Sequence, residues 1–468
     1  MPLAGAAGAA DCTQHEPWLA RAPLYSIDIQ DDSRETDDMT RSARERLDQA
    51  LARIDDPKGE GARACLTVYR ETARAAADAA DARAKAGVSL GPMDGAIVSI
   101  KDLFDVAGEV TRAGSKVVAD EGKPAAADAP PVRALRRAGA VIVAKTNMSE
   151  FAFSGIGANP HYGTPGNPAD RARVPGGSSS GGAVAAGDGM CEISIGSDTG
   201  GSTRIPAAFC GIVGYKPSRL RITRDGAYPL SFSMDSIGPM ARSVADCQRA
   251  DHAMAGEERA PLPTPSLGDL SVAVATGMPV ENLDDTVSKA FARAVASVTK
   301  AGARLRDKAL PLIEKMVEVN KRGGVQPAEA FTVNRDLLDR RGADMDQTIR
   351  ARLERARTIS AADYIWMARE RMGLIAEMDA WLAGTDVLIM PTCPIVAPTQ
   401  AEVANPDEFA RKNAMALRNT SVWNFFDCCA ISLPIPGSSL PAGLMLVARN
   451  GRDRELFAMA AAAERALG

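Results

Sequence analysis

The sequence predicts an α/β protein built in layers around a central sheet. Three observations predict it. Short apolar runs recur at 96–102, 141–145, 191–195 and 211–217, each too short for a buried helix. Segments with helical spacing of apolar residues separate several of these runs, and alternation of strand and helix is the pattern of an α/β layer structure. After a long helical stretch at 284–379, strand-like runs return at 386–390, 430–433 and 444–447, so the later strands are expected to rejoin the same sheet.

The elements follow in order. Residues 1–38 open with a run of small apolar residues and read as a loose tail without the basic start of a signal peptide. Between 39 and 86, Leu47, Leu51 and Ile54 stand at helical spacing, Gly59-Glu60-Gly61 interrupts, and a second helix is expected at about 72–86. A break at Gly91-Pro92-Met93-Asp94-Gly95 precedes the apolar strand that ends in Lys101-Asp102. A helix at 131–138 and a strand at 141–145 close a βαβ-type unit. Turn formers crowd 159–168, then come a small-residue helix start at 183–186 and strands at 191–195, 211–217 and 271–275. A helix at 455–467 ends the chain. The whole is expected to be one domain at 39–468, with its core at 91–247 and 380–468 and a helical insertion at about 284–379 serving as lid or pocket wall.

Composition narrows the function. The 468 residues carry a net charge of −4, which gives no basic surface to recruit nucleic acid or anionic lipid. The apolar run at 387–390 is far short of the roughly 20 residues of a membrane helix, so no span is expected. The three histidines, His15, His161 and His252, lie far apart, and no pair has metal-ligand spacing. Eight cysteines show no CxxC pattern, and several sit in apolar runs as buried thiols, which suits a reducing cytoplasm.

Two glycine-serine clusters stand out. The first is Gly176-Gly177-Ser178-Ser179-Ser180-Gly181-Gly182, and the second is Asp198-Thr199-Gly200-Gly201-Ser202-Thr203-Arg204. Glycines lose the most backbone freedom on folding, so two such clusters imply a need for bare backbone, and serines offer hydroxyls as nucleophiles or proton relays. Lys101, at the end of an apolar strand, could itself be a snorkelling surface lysine.

Together these residues resemble the amidase signature family, hydrolases and transferases with a Ser-Ser-Lys triad. The resemblance rests on an apolar strand ending in Lys-Asp, a Gly-Gly-Ser-Ser cluster and Asp-Thr-Gly-Gly-Ser-x-Arg-x-Pro, and it covers about 91–242 and 386–449. The family's two triad serines lie 24 residues apart, as Ser178 and Ser202 do, which selects Ser178 over Ser179 and Ser180. It implies a central mixed sheet flanked on both faces by helices, Ser202 as nucleophile, Ser178 as bridging serine after a cis peptide, and Lys101 as base. It also implies an oxyanion hole from the backbone of Thr199, Gly200, Gly201 and Ser202, with Asp198 and Arg204 as buried scaffold. The expected reaction is hydrolysis of a carboxamide C–N bond through an acyl-enzyme, with a small-molecule amide as substrate, esterase side activity, no metal and no organic cofactor. A homodimer is compatible with it.

The chemistry is consistent with that assignment. A serine hydroxyl needs a proton acceptor within reach, and lysine can serve only when burial lowers its pKa. His161 lacks a Gly-x-Ser-x-Gly partner and is expected to be a turn residue near the site. Cys428 and Cys429 replace the Gly and Pro common in the family and are expected to be small buried residues. Selectivity is expected from 284–417 and 423–429, where Tyr364, Trp366, Trp423, Phe425 and Phe426 either wall a pocket or pack a core. Two alternatives remain: the A subunit of a glutamine-dependent tRNA amidotransferase, against which 363–376 and the segment before Asn424 do not show the arginine and acidic residue, in register, of a glutamine-binding pocket, and a non-catalytic scaffold.

Overall fold

The computed structural model describes residues 41–257 and 262–468. The expected tail at 1–38, with Cys12 and His15, lies outside the described residues.

Eleven strands form one mixed sheet. In chain order they are β1 (Cys65–Val68), β2 (Ile97–Lys101), β3 (Val141–Thr146), β4 (Ile193–Asp198), β5 (Val213–Lys216), β6 (Ser236–Ala241), β7 (Ser271–Thr276), β8 (Arg304–Ala309), β9 (Val387–Pro391), β10 (Cys429–Pro434) and β11 (Gly443–Ala448). Their spatial order is β1-β3-β2-β4-β6-β5-β10-β11-β9-β7-β8. Strand β2 runs parallel to both β3 and β4, and β7 runs parallel to both β8 and β9. The intervening pairs are antiparallel.

The central strands are buried along their whole length, which is why β2 and β3 read as near-continuous apolar runs. Strand β2 pairs Val98 with Ile193 and Ile100 with Ile195 of β4. That register brings the end of β2, where Lys101 stands, level with the Gly196-Ser197-Asp198 end of β4.

The helix Ala43–Asp55 starts with a capping box between Ser42 and Glu45 and buries Leu47, Leu51 and Ile54, as their spacing predicts. It packs on Arg70–Lys85, whose buried stripe is Ala73, Ala77 and Ala80. Small residues at this spacing let two helices approach closely.

Three strands escaped the sequence reading. Strand β1 is only four residues long. Strand β6 carries Gly238 and Pro239, and Pro239 faces Ile195 in the middle of the sheet, so turn formers masked a core strand. Strand β8 corrects the expectation of a purely helical insertion: Arg-Leu-Arg-Asp-Lys-Ala has no apolar run because it is the edge strand, mostly exposed and charged in the manner that discourages further pairing. The rest of the insertion is helical at Asp285–Lys300, Leu312–Asn320, Val325–Arg341, Gln347–Ala356 and Ala361–Leu382. No helix among the described residues is long and apolar enough to cross a membrane.

Candidate active site

Lys101 is fully buried at the end of β2. Its Nζ donates to Ser178 Oγ at 2.7 Å and to Ser197 Oγ at 2.9 Å. Burial lowers its pKa to about 7, against the opposing pull of the nearby Asp198 and Asp235 charges. A lysine with two hydroxyl acceptors and no carboxylate in contact is poised to be neutral near neutral pH. Ser197 was not anticipated; its signal was its place beside Asp198 on a strand parallel to β2.

Ser178 follows a cis Gly177–Ser178 peptide and stands just before the helix Ser180–Gly187. The glycines ahead of it are there for close approach rather than for an anion. A Cβ on Gly177 would lie 2.6 Å from Gly157 N, and Gly176, at φ +80, would meet Phe209 and Pro206 at 2.9 Å. The bare backbone lets Gly177 N–H donate to Gly155 O at 2.9 Å, while Ser178 O accepts from Ser149 N at 3.0 Å. Two neighbouring bonds therefore fix the orientation of Ser178.

The second cluster is organised by Asp198, at the end of β4. Arg204 grips its carboxylate with two bonds, Nε to Oδ2 at 3.1 Å and Nη2 to Oδ1 at 2.9 Å. Both side chains are fully buried, so this is an internal pair and not a surface one. Burial by itself would raise the Asp198 pKa, but the Arg204 charge and the hydrogen bonds from Arg204 and Asn424 hold it well below the usual carboxylate range. Asp198 also accepts from Gly201 N at 2.9 Å and from Thr203 Oγ1 at 2.9 Å. Arg204 reaches on to Thr420 O at 3.1 Å and Asn424 Oδ1 at 2.7 Å. Asn424 in turn donates to Asp198 Oδ1 at 2.8 Å. The turn that carries Ser202 is thus clamped from inside by residues more than 200 positions apart in the chain.

Ser202 is 4% exposed, and its hydroxyl has no hydrogen-bond partner among the described residues. Its carbonyl accepts from Ser179 N at 3.3 Å, which ties the two clusters together. The expected set of backbone donors needs one correction. The Gly201 N–H is engaged by Asp198, so it is committed to holding the turn. The amides of Thr199, Gly200 and Ser202 make no such bond among the described residues.

Thr199 Oγ1 donates to Asp235 Oδ1 at 2.5 Å, and Asp235 accepts as well from Leu230 N at 3.0 Å. Burial raises the Asp235 pKa to about 6, with the Thr199 bond opposing the shift. Sequence reasoning missed this residue because Asp235 lies between turn formers and the masked strand β6.

Other expected residues fall away from this centre. His161 Nε2 lies 3.1 Å from Glu150 Oε1, a contact that raises its pKa against the effect of burial. Trp423, Phe425, Phe426 and Cys428 are buried together in one apolar cluster, with Tyr364 and Trp366 packed partly exposed against it. Of the two readings of those aromatics, core packing therefore holds for Trp423, Phe425 and Phe426. Cys429 joins a separate part of the core, and burial raises the pKa of Cys428 to about 12 and holds that of Cys429 well above the usual thiol range. Neither is a ready nucleophile.

Comparison with known proteins gives a consistent picture. A family model described as Amidase matches residues 46–457. The chain is 34% identical to 2-amino-5-chloromuconic acid deaminase of Comamonas testosteroni, over 85% of this chain and 87% of that protein. It is also 34% identical to the A subunit of the glutamyl-tRNA(Gln) amidotransferase of Anaeromyxobacter dehalogenans (strain 2CP-C), over 91% and 93% of the two chains. A solved crystal structure of an amidase superposes with a TM-score of 0.81 at 32% identity, covering 93% of this chain and 98% of that one.

Proposed function

Because the chain belongs to the amidase family, we propose that it is an amidohydrolase that cleaves a carboxamide C–N bond through an acyl-enzyme on Ser202. Neutral Lys101 draws the proton of Ser178, and Ser178 draws that of Ser202 as its oxygen bonds to the carbonyl carbon. The resulting oxyanion faces the free amides of Thr199, Gly200 and Ser202. One such donor is worth on the order of 3 kcal/mol in the transition state. Lys101, now charged, returns the proton through Ser178 to the leaving nitrogen as the C–N bond breaks. Water then attacks the ester by the same relay and releases the carboxylic acid. Asp198 and Arg204 act as scaffold, holding the turn that presents these groups.

The observation that carries this reading is the buried Lys101 amine 2.7 Å from Ser178 Oγ, with its pKa brought down to about 7. A fluorophosphonate probe is expected to label Ser202, and labelling at Cys428 or His161 would refute the assignment. We further read 39–468 as one domain, since a single sheet draws strands from both sides of the insertion. The seven described cysteines are all free and buried, which supports a cytoplasmic location.

The similarity to amidotransferase A subunits keeps a second reading in view. Hydrolysis of simple amides by the isolated chain favours the amidase, and strict dependence on a partner with glutamine as the amide favours the transferase.

A further inference from the structure

Gly200 marks a slot beside the catalytic turn. Its φ lies outside the left-handed region, so its backbone does not demand glycine. A Cβ placed there would meet Leu417 Cδ2 at 3.2 Å, Ser421 Cβ at 3.9 Å and Gln326 Oε1 at 4.0 Å. Leu417 also closes the neighbouring position, lying 3.2 Å from a Cβ on Gly155, whose carbonyl holds Gly177 beside Ser178. Leu417, Ser421 and Gln326 are each only partly buried, so the slot communicates with solvent. It lies beside Gly200, two residues before Ser202 in the chain.

Gln326 is the distinctive member. It is the second residue of the helix Val325–Arg341, which enters behind Gly323 and Gly324 at φ +112 and +89. That turn delivers the helix start, and the Gln326 carboxamide with it, against Gly200. The carboxamide has no hydrogen-bond partner among the described residues. A partly buried carboxamide with an unused acceptor and unused donors gains by meeting a polar group, and it loses when an apolar group displaces its water. The other polar member, Ser421, is neutral too.

We propose that Leu417, Ser421 and Gln326 form the acyl subsite and that Gln326 selects short amides whose acyl chain carries a second, neutral hydrogen-bonding group, such as another carboxamide. Leu417 covers the methylene part of the chain, and Gln326 pairs with its polar end. The inference rests on the amidohydrolase reading above and narrows it to a substrate class.

The test compares succinamide, succinamate and butyramide on the purified chain. Succinamide is expected to exceed butyramide in kcat/KM by roughly tenfold, the worth of about one well-made hydrogen bond. It is also expected to exceed the charged succinamate. Gln326→Leu is expected to remove the advantage over butyramide, mainly through KM, because the bond is made in both ground and transition states. Gln326→Asn, which keeps the carboxamide but withdraws it, should fall between the two, and it stands in for the leucine variant if thermal denaturation shows that variant misfolded. An unchanged preference in these variants, or a preference for succinamate, overturns the proposal. Fluorophosphonate labelling of Ser202 separates the two levels: labelling with no role for Gln326 sinks only the subsite, and no labelling with no turnover sinks both.

Discussion

Lys101 Nζ lies 2.7 Å from Ser178 Oγ, and neither side chain has measurable exposure to solvent. A charged ammonium at that depth carries a desolvation penalty that two hydroxyl acceptors offset only in part. The penalty disfavours the charged form and so favours the neutral amine, which can accept a proton. Its position at the end of a core strand, not any contact with a carboxylate, gives it that character.

Removing the proposed base or the proposed nucleophile tests the proposed relay. Lys101→Ala and Ser202→Ala are each expected to abolish turnover while leaving the circular dichroism spectrum and thermal transition near those of the unsubstituted chain. Ser178→Ala should lower kcat by roughly 100- to 10,000-fold, the usual range for a lost proton-transfer group. Most activity retained in Ser202→Ala would remove this serine from the mechanism.

The pH dependence follows from the same depth. Lys101 must be neutral to accept a proton, so kcat/KM should rise with pH through a single ionisation near the value of about 7 to which burial lowers its pKa. The charge of Asp235 opposes that lowering. Asp235→Asn is therefore expected to move the midpoint to lower pH, and a midpoint that rises or stays fixed would contradict the assignment of Lys101.

Two neighbouring glycines should respond differently to alanine. At Gly201, φ +132, a Cβ would press to 2.6 Å from Thr420 Cβ and 2.2 Å from Thr420 Oγ1. That hydroxyl donates to Gly200 O at 2.7 Å, so Gly201→Ala should cost stability as well as rate, about 1–3 kcal/mol in denaturant unfolding. Gly200→Ala meets mostly a flexible leucine tip and should fold normally, with its loss confined to turnover of bulkier acyl groups.

The Asp198–Arg204 pair should be intolerant of half-removal. Arg204→Met leaves a buried carboxylate with its strongest partner gone, and a loss of about 3–5 kcal/mol is expected. Arg204→Lys should rescue little, because one ammonium cannot serve Asp198, Thr420 and Asn424 together. Calorimetric transitions of the two variants check this, and a near-native Arg204→Lys would refute it.

The chain's local order determined much of this protein. Alternating apolar runs and helical segments set the α/β class, and the first glycine-serine cluster with an apolar strand ending in Lys101 marked Lys101 and Ser178, now found in hydrogen-bond contact, because each signal sits within a few neighbouring positions. What local order could not carry was decided by tertiary contacts. The polar edge strand β8 and the proline-bearing strand β6 exist only because neighbours offer them hydrogen bonds. Ser197 reaches Lys101 through the parallel register of β2 and β4, Gly201 loses its amide to Asp198, and Gln326 arrives at Gly200 on a helix from the insertion. The physical reason is common to all of them: strand pairing, desolvation and hydrogen-bond competition depend on which distant groups share a volume, and that is fixed only when the chain has folded.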